Sequence, residues 1–186
     1  MTDATTAPPV TTMVVMGVSG SGKTTVARAL ADRLGWPYTE GDDFHPRANV
    51  EKMRAGHPLD DADRWPWLQA LAAEIGEREA ARQSSVVTCS ALKRAYRDLL
   101  CDGHPSVWFV HVQVDEQVLR DRVENRTGHY MPPSLLTSQL QTLEPLAPDE
   151  PGVVVAGDAP PADVVEEIVT DLTRRRAAPV TGGESR

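Results

Sequence analysis

Apolar residues fall along the chain in two alternating patterns. Thr12–Met16 (TMVVM), Ser85–Cys89 (SVVTC), Val107–Val114 (VWFVHVQV) and Val153–Ala156 (VVVA) are short apolar or β-branched runs, and a briefer one passes through Tyr38 and Thr39. Between them, helical patterns cover Lys23–Leu34, Pro66–Arg82, Lys93–Leu100, Glu116–Asn125, Pro133–Leu143 and Ala162–Arg174. Strands that are apolar throughout, rather than alternating, are buried on both faces. Interleaved with helices, they predict an α/β fold: a five-stranded parallel sheet with helices on both faces. Ligands of such sheets sit beyond the carboxyl ends of the strands.

The Thr-, Ala- and Pro-rich residues 1–12 and the polar residues 174–186 are expected to be flexible tails around one domain, 13–173. With 40% hydrophobic and 25% charged residues, that domain can bury a core. The apolar runs are too short to cross a bilayer, and the first residues lack the basic start and apolar block of a secretory signal. Two cysteines, Cys89 and Cys101, form neither a disulfide framework nor a metal-ligand pattern, so a reducing cytoplasmic setting is expected. A net charge of -8 argues against nucleic-acid or membrane-surface partners. An anionic substrate then needs a local basic cluster, for which Arg120, Arg122, Arg126 and His129 are candidates.

Gly17-Val18-Ser19-Gly20-Ser21-Gly22-Lys23-Thr24 matches G-x-x-x-x-G-K-[ST] at every fixed position, between a strand and a helix. Its glycines let the backbone curl so that N–H groups, with the positive end of the next helix, hold nucleotide phosphates. Lys23 reaches the outer phosphates, the Thr24 hydroxyl ligates Mg²⁺, and Thr25 extends the phosphate-binding backbone. This predicts ATP binding on a P-loop NTPase fold. It does not by itself select among switches, motors and kinases. The guanine-recognition N-K-x-D and the transporter-type LSGGQ motif are both absent from the sequence, which leaves a small kinase with a short lid.

Three further stretches are more specific: GDDFHP-x-x-N-x-x-KM from Gly41, PL-x-D-x-DR-x-PWL from Pro58, and CSALK-x-x-YRD from Cys89. With the P-loop and NRTGHYM from Asn125, they make residues 13–173 resemble the bacterial gluconokinases of the P-loop, thermoresistant type. The resemblance implies ATP-dependent phosphorylation of D-gluconate to 6-phosphogluconate, and a homodimer.

It also suggests roles. Asp42, past the second strand, is the candidate base for the 6-hydroxyl, with Glu40 as a support for Mg²⁺ through water. His45 either donates to a substrate hydroxyl or caps the helix starting near Pro46, on which Asn49 and Lys52, a candidate substrate contact, share a face. Arg64 is either the clamp for the gluconate carboxylate or the partner of Asp60, Asp61 or Asp63. Ser90 is placed to cap the helix carrying Lys93, a candidate substrate contact, and Arg97, which could be a solvated face. Arg122 and Arg126 lie one turn apart before Thr127-Gly128-His129-Tyr130, a Gly-containing lid that would bring one or both arginines to the phosphates, with His129 a candidate substrate contact.

Competing readings make different demands. A shikimate kinase would show a Gly-Gly-Gly stretch where this chain has Cys89-Ser90-Ala91, and a silent nucleotide-binding module would have lost Lys23, Thr24 or Asp42, all of which are present.

Overall fold

The computed structural model describes residues 9–124 and 133–177. Five parallel strands, β1 (Thr12–Met16), β2 (Tyr38–Thr39), β3 (Ser85–Thr88), β4 (Val107–Gln113) and β5 (Gly152–Ala156), form one sheet in the order β2-β3-β1-β4-β5. β1 is central: Val14 lies beside Val87 on one side and Phe109 on the other. The chain passes from β1 to the edge strand β2, returns to β3 beside β1, and then crosses to β4 and β5 on the other side, so the cleft opens at the carboxyl end of β1, where the order switches.

Alternate residues of each strand feed two cores, as the pleat requires. Met13, Val15, Val86 and Val110 pack on α1 (Lys23–Leu34) and α7 (Pro161–Ala177). Val14, Met16, Val87 and Phe109 pack beneath α3 (Asp61–Ala80), α4 (Arg94–Cys101), α5 (Glu116–Glu124) and α6 (Pro133–Thr142). The short α2 (Arg47–Arg54) follows a 3₁₀ turn, Gly41–Phe44, and is tied to the start of α3 through Asn49 and Lys52.

Most element ends fall within a few residues of the sequence expectation, and three of the differences have a local reason. α3 begins five residues before Pro66: Asp60 and Asp63 form a reciprocal capping box, and Pro66, close to the helix start, removes only one ladder bond. Ser90 does not cap α4. The N-cap is Lys93, and the Glu144 carboxylate accepts the Arg94 N–H at 2.6 Å in the role expected of the serine. α7 continues to Ala177, so the first residues of the expected C-terminal tail are helical, with Arg176 donating to Pro9 and Thr11.

Arg97 is not a solvated residue. It is 1% exposed, pairs with buried Glu150 at 2.5 Å, and donates to the carbonyls of Ala91, Leu92, Glu144 and Pro145. Ala91 is in the left-handed region (φ 42), and this guanidinium satisfies the carbonyls that such an irregular turn turns inward. Arg97→Met is expected to cost about 3–5 kcal/mol in urea unfolding, because it strands the Glu150 carboxylate. Adding Glu150→Gln should recover part of that. A loss below about 1 kcal/mol would show that the turn holds without the arginine.

Candidate active site

The P-loop runs from β1 to α1 with Gly17, Gly20 and Gly22 all at positive φ. At Gly17 (φ 137) a Cβ would stand 2.8 Å from the Val112 carbonyl, so the loop lies against β4 with no room for a side chain. α1 has no side-chain cap at Gly22 and no acidic residue in its first turn. The N–H groups at its start are therefore left for a ligand, and its dipole favours an anion there. Val18, Ser19 and Ser21 form the wall of the loop, with Thr25 on the first turn of α1. The Lys23 ammonium folds back to donate to the Val18 carbonyl at 2.9 Å.

Opposite, at the end of β2, the Glu40 carboxylate accepts hydrogen bonds from Thr24 (3.2 Å), Tyr38 (2.5 Å) and Thr88. Desolvation pushes this carboxyl up, but those bonds and the Lys23 charge outweigh it and hold it below the ordinary value. Among the described residues no cluster of three or more His, Cys, Asp or Glu could hold a metal. Thr24 and Glu40 nonetheless put a hydroxyl and a carboxylate side by side. That suits Mg²⁺, which keeps waters and substrate phosphates as its remaining ligands.

Asp42 follows on the 3₁₀ turn. Gly41 wedges this turn against β3: its N–H donates to Thr88 Oγ1 at 3.0 Å, its carbonyl accepts Trp67 Nε1 at 2.7 Å, and a Cβ there would fall 1.9 Å from the Thr88 carbonyl oxygen. The Asp42 side chain stands in the mouth of the cleft, where desolvation raises its pKa, the Lys23 charge opposes the rise, and Glu40 and Asp43 add to it. His45 Nε2 lies 4.0 Å from Asp42 Oδ1. The His45 ring stacks on Trp67 at 4.1 Å, and burial with the Arg64 charge lowers its pKa to about 4, so it is neutral. Its Nδ1 faces the Asn49 amide, which donates from Nδ2, at 3.4 Å; the ring proton is thus on Nε2, towards Asp42.

The basic residues separate clearly. Lys52 is held by Asp60 (3.3 Å) and Asp63, and Lys93 by Asp61 (2.8 Å). Arg64 is buried, donates through Nε to the Leu59 carbonyl at 3.3 Å and lies over the Tyr96 ring. Among the described residues no carboxylate forms a salt bridge with it. The aspartates that could have neutralised it are taken by the two lysines. A cavity of about 510 Å³ lies between the start of α3 and α4, lined by Leu59, Asp60, Asp61, Lys93, Tyr96 and Thr142; Leu59 and Tyr96, which line it, are the residues that Arg64 touches.

Arg122 donates to the carbonyls of Gly20 (3.4 Å) and Gly157 (3.1 Å), bracing the P-loop against the loop after β5. Arg120 pairs with Glu116 on α5. Arg126, His129 and the expected lid lie outside the described residues. Sequence reasoning missed Thr88, which binds both Glu40 and Gly41, and Gln139 on α6, whose Oε1 accepts the Ser19 N–H at 2.7 Å. Neither carries a charge or sits in a motif that would have marked it.

Comparison with known proteins agrees with this geometry. Residues 13–146 match the model of an AAA domain family. The chain is 52% identical over 157 residues to a gluconokinase of Gluconobacter oxydans, covering 84% of this chain and 88% of that protein. It is 42% identical to the thermoresistant gluconokinase of Escherichia coli, covering 84% and 90%. The crystal structure of a gluconokinase from Sinorhizobium meliloti superposes with a TM-score of 0.79 at 47% identity, covering 92% of this chain and 95% of that one. A P-loop on a central strand, an acidic turn opposite it and relatives of this closeness place the chain in the gluconokinase family of P-loop kinases.

Proposed function

We propose that this protein transfers the terminal phosphoryl group of ATP to the 6-hydroxyl of D-gluconate. The observation that carries the residue assignment is the placement of Asp42 beyond the end of β2, next to Glu40, on a turn that Gly41 pins to β3. The gluconate 6-oxygen attacks the terminal phosphorus, the bond to the bridging oxygen of ADP breaks, and Asp42 accepts the hydroxyl proton. Lys23 and the N–H groups starting α1 hold the phosphates and stabilise the charge that spreads over the transferring group. His45, neutral with its proton on Nε2, donates to an acceptor hydroxyl. Arg64, buried and without a carboxylate of its own, binds the gluconate carboxylate in bidentate fashion, while Lys52 and Lys93 shape the pocket through their aspartate pairs. Thr24 would hold the Mg²⁺ delivered with ATP, with Glu40 in support, and the ion would supply charge neutralisation at the phosphates. Arg122 steadies the P-loop, Arg126 acts on the phosphates, and His129 contacts the substrate. The proposal extends to a homodimer in a reducing cytoplasm.

Release of ADP should depend on gluconate when MgATP is offered with gluconate, shikimate, glycerate or a nucleoside monophosphate, and 6-phosphogluconate should be the product. Preference for another acceptor would retain the kinase and overturn the assignment of its pocket. Asp42→Asn should lower kcat by about 10²–10⁴ with ADP affinity retained. Because desolvation at the cleft mouth and the Glu40 and Asp43 charges raise this carboxyl, wild-type kcat should fall with decreasing pH through a value above that of an ordinary aspartate, about 3.9. That limb should vanish from the residual activity of the variant, and an unchanged limb would remove Asp42 as the base. Arg64→Lys should raise KM for gluconate about 10- to 100-fold with KM for ATP little changed. An unaltered gluconate KM would assign the carboxylate to another group.

A further inference from the structure

The helices on either side of residues 125–132 both reach the P-loop, at adjacent residues. From α5, Arg122 donates to the Gly20 carbonyl, and Leu119 and Val123 pack so closely that a Cβ on Gly20 would lie 3.2 Å from Val123. From α6, Gln139 Oε1 accepts the Ser19 N–H at 2.7 Å, across 120 positions of sequence. The two contacts are chemically unequal. Arg122 meets the loop as a cation, through two of its five N–H donors, on the carbonyls of Gly20 and Gly157. A primary amide has one oxygen and two N–H donors, and in Gln139 only the oxygen is engaged: among the described residues Nε2 makes no hydrogen bond. With Oε1 fixed on Ser19, Nε2 is held within about 5 Å of the Ser19 nitrogen by the geometry of the amide group. Ser19 lies three residues before Gly22, off the start of α1 whose N–H groups suit a phosphate, so a donor beside it suits the outer part of a nucleoside triphosphate.

We infer that Gln139 is a phosphate-binding residue for the transferring group, holding the Ser19 N–H with its oxygen and the terminal phosphate with its nitrogen. A neutral amide suits both tasks. A carboxylate could accept from Ser19 but would repel the phosphate, and a lysine could bind the phosphate but not accept from Ser19. The contact distinguishes ATP from ADP, since only ATP carries the phosphate that Nε2 meets. It extends the nucleotide site to α6, and it does not depend on which acceptor the enzyme uses.

The test is to measure binding of ADP and of a non-hydrolysable ATP analogue, both with Mg²⁺, by titration calorimetry to the full chain carrying Gln139→Glu or Gln139→Leu. Glutamate is nearly isosteric and keeps the acceptor for Ser19 while losing the donor. The expected result is that Gln139→Glu weakens the triphosphate analogue about tenfold or more and leaves ADP within about twofold, with Gln139→Leu showing the same direction. Wild-type analogue affinity in Gln139→Glu would overturn the proposal and reduce Gln139 to an anchor for the loop. Equal weakening of both nucleotides in both variants would overturn it as well, because an anchor lost from the P-loop harms every phosphate alike. As the readout is nucleotide binding, it stands apart from turnover with gluconate, and failure of either conclusion would be seen separately.

Discussion

The half-buried carboxylate of Glu40 joins the two halves of the cleft. It gathers hydroxyls from the first turn of α1, from β2 and from β3, so that the P-loop and the Asp42 turn are referred to the same oxygen atoms. A charge so placed is tolerable only because each donor compensates its lost hydration. The arrangement works because the sheet is parallel and β1 central: all five strands end at one edge, and the loops leaving β1, β2 and β3 meet there without any long excursion. The position of each reacting group follows from strand register, and the hydrogen bonds around Glu40 remove the remaining freedom.

A second polar centre, Arg97 with Glu150, does the equivalent task behind the cleft. It holds the irregular backbone at 90–93 and 144–147 in one piece, and with it the start of α4. Neither centre needs to add net stability. A buried ion pair of this kind roughly breaks even against an apolar replacement, and its value here is that only one backbone arrangement satisfies all its donors and acceptors.

Much of this architecture was legible in the sequence because it rests on local patterns. The apolar runs located every strand, and the P-loop motif located the nucleotide. Pro66 misled on the start of α3, since the Asp60–Asp63 box is the same capping pattern written with two aspartates. The acceptor wall was less legible, for a physical reason. Whether Arg64 is neutralised depends on which of Lys52, Lys93 and Arg64 reaches the aspartates of α3, and that is settled by side-chain reach across α2, α3 and α4. Arg97 looked like a surface residue because its carboxylate lies 53 positions away. Gln139 is uncharged and far in sequence from Ser19, so nothing in a linear reading brings the two together.

The contact of Gly41 with the Thr88 carbonyl has an evolutionary consequence. With no space for even a methyl group, the turn that carries Asp42 cannot drift relative to β3, so mutation has little means of relocating that carboxylate while keeping the sheet intact. The facing wall is built from exposed lysine–aspartate pairs, each replaceable at small cost in stability. Divergence towards new acceptors would accordingly be channelled into α2 and the first turn of α3, around an immovable reactive corner, and a library aimed at altered specificity would be best confined to the same two segments.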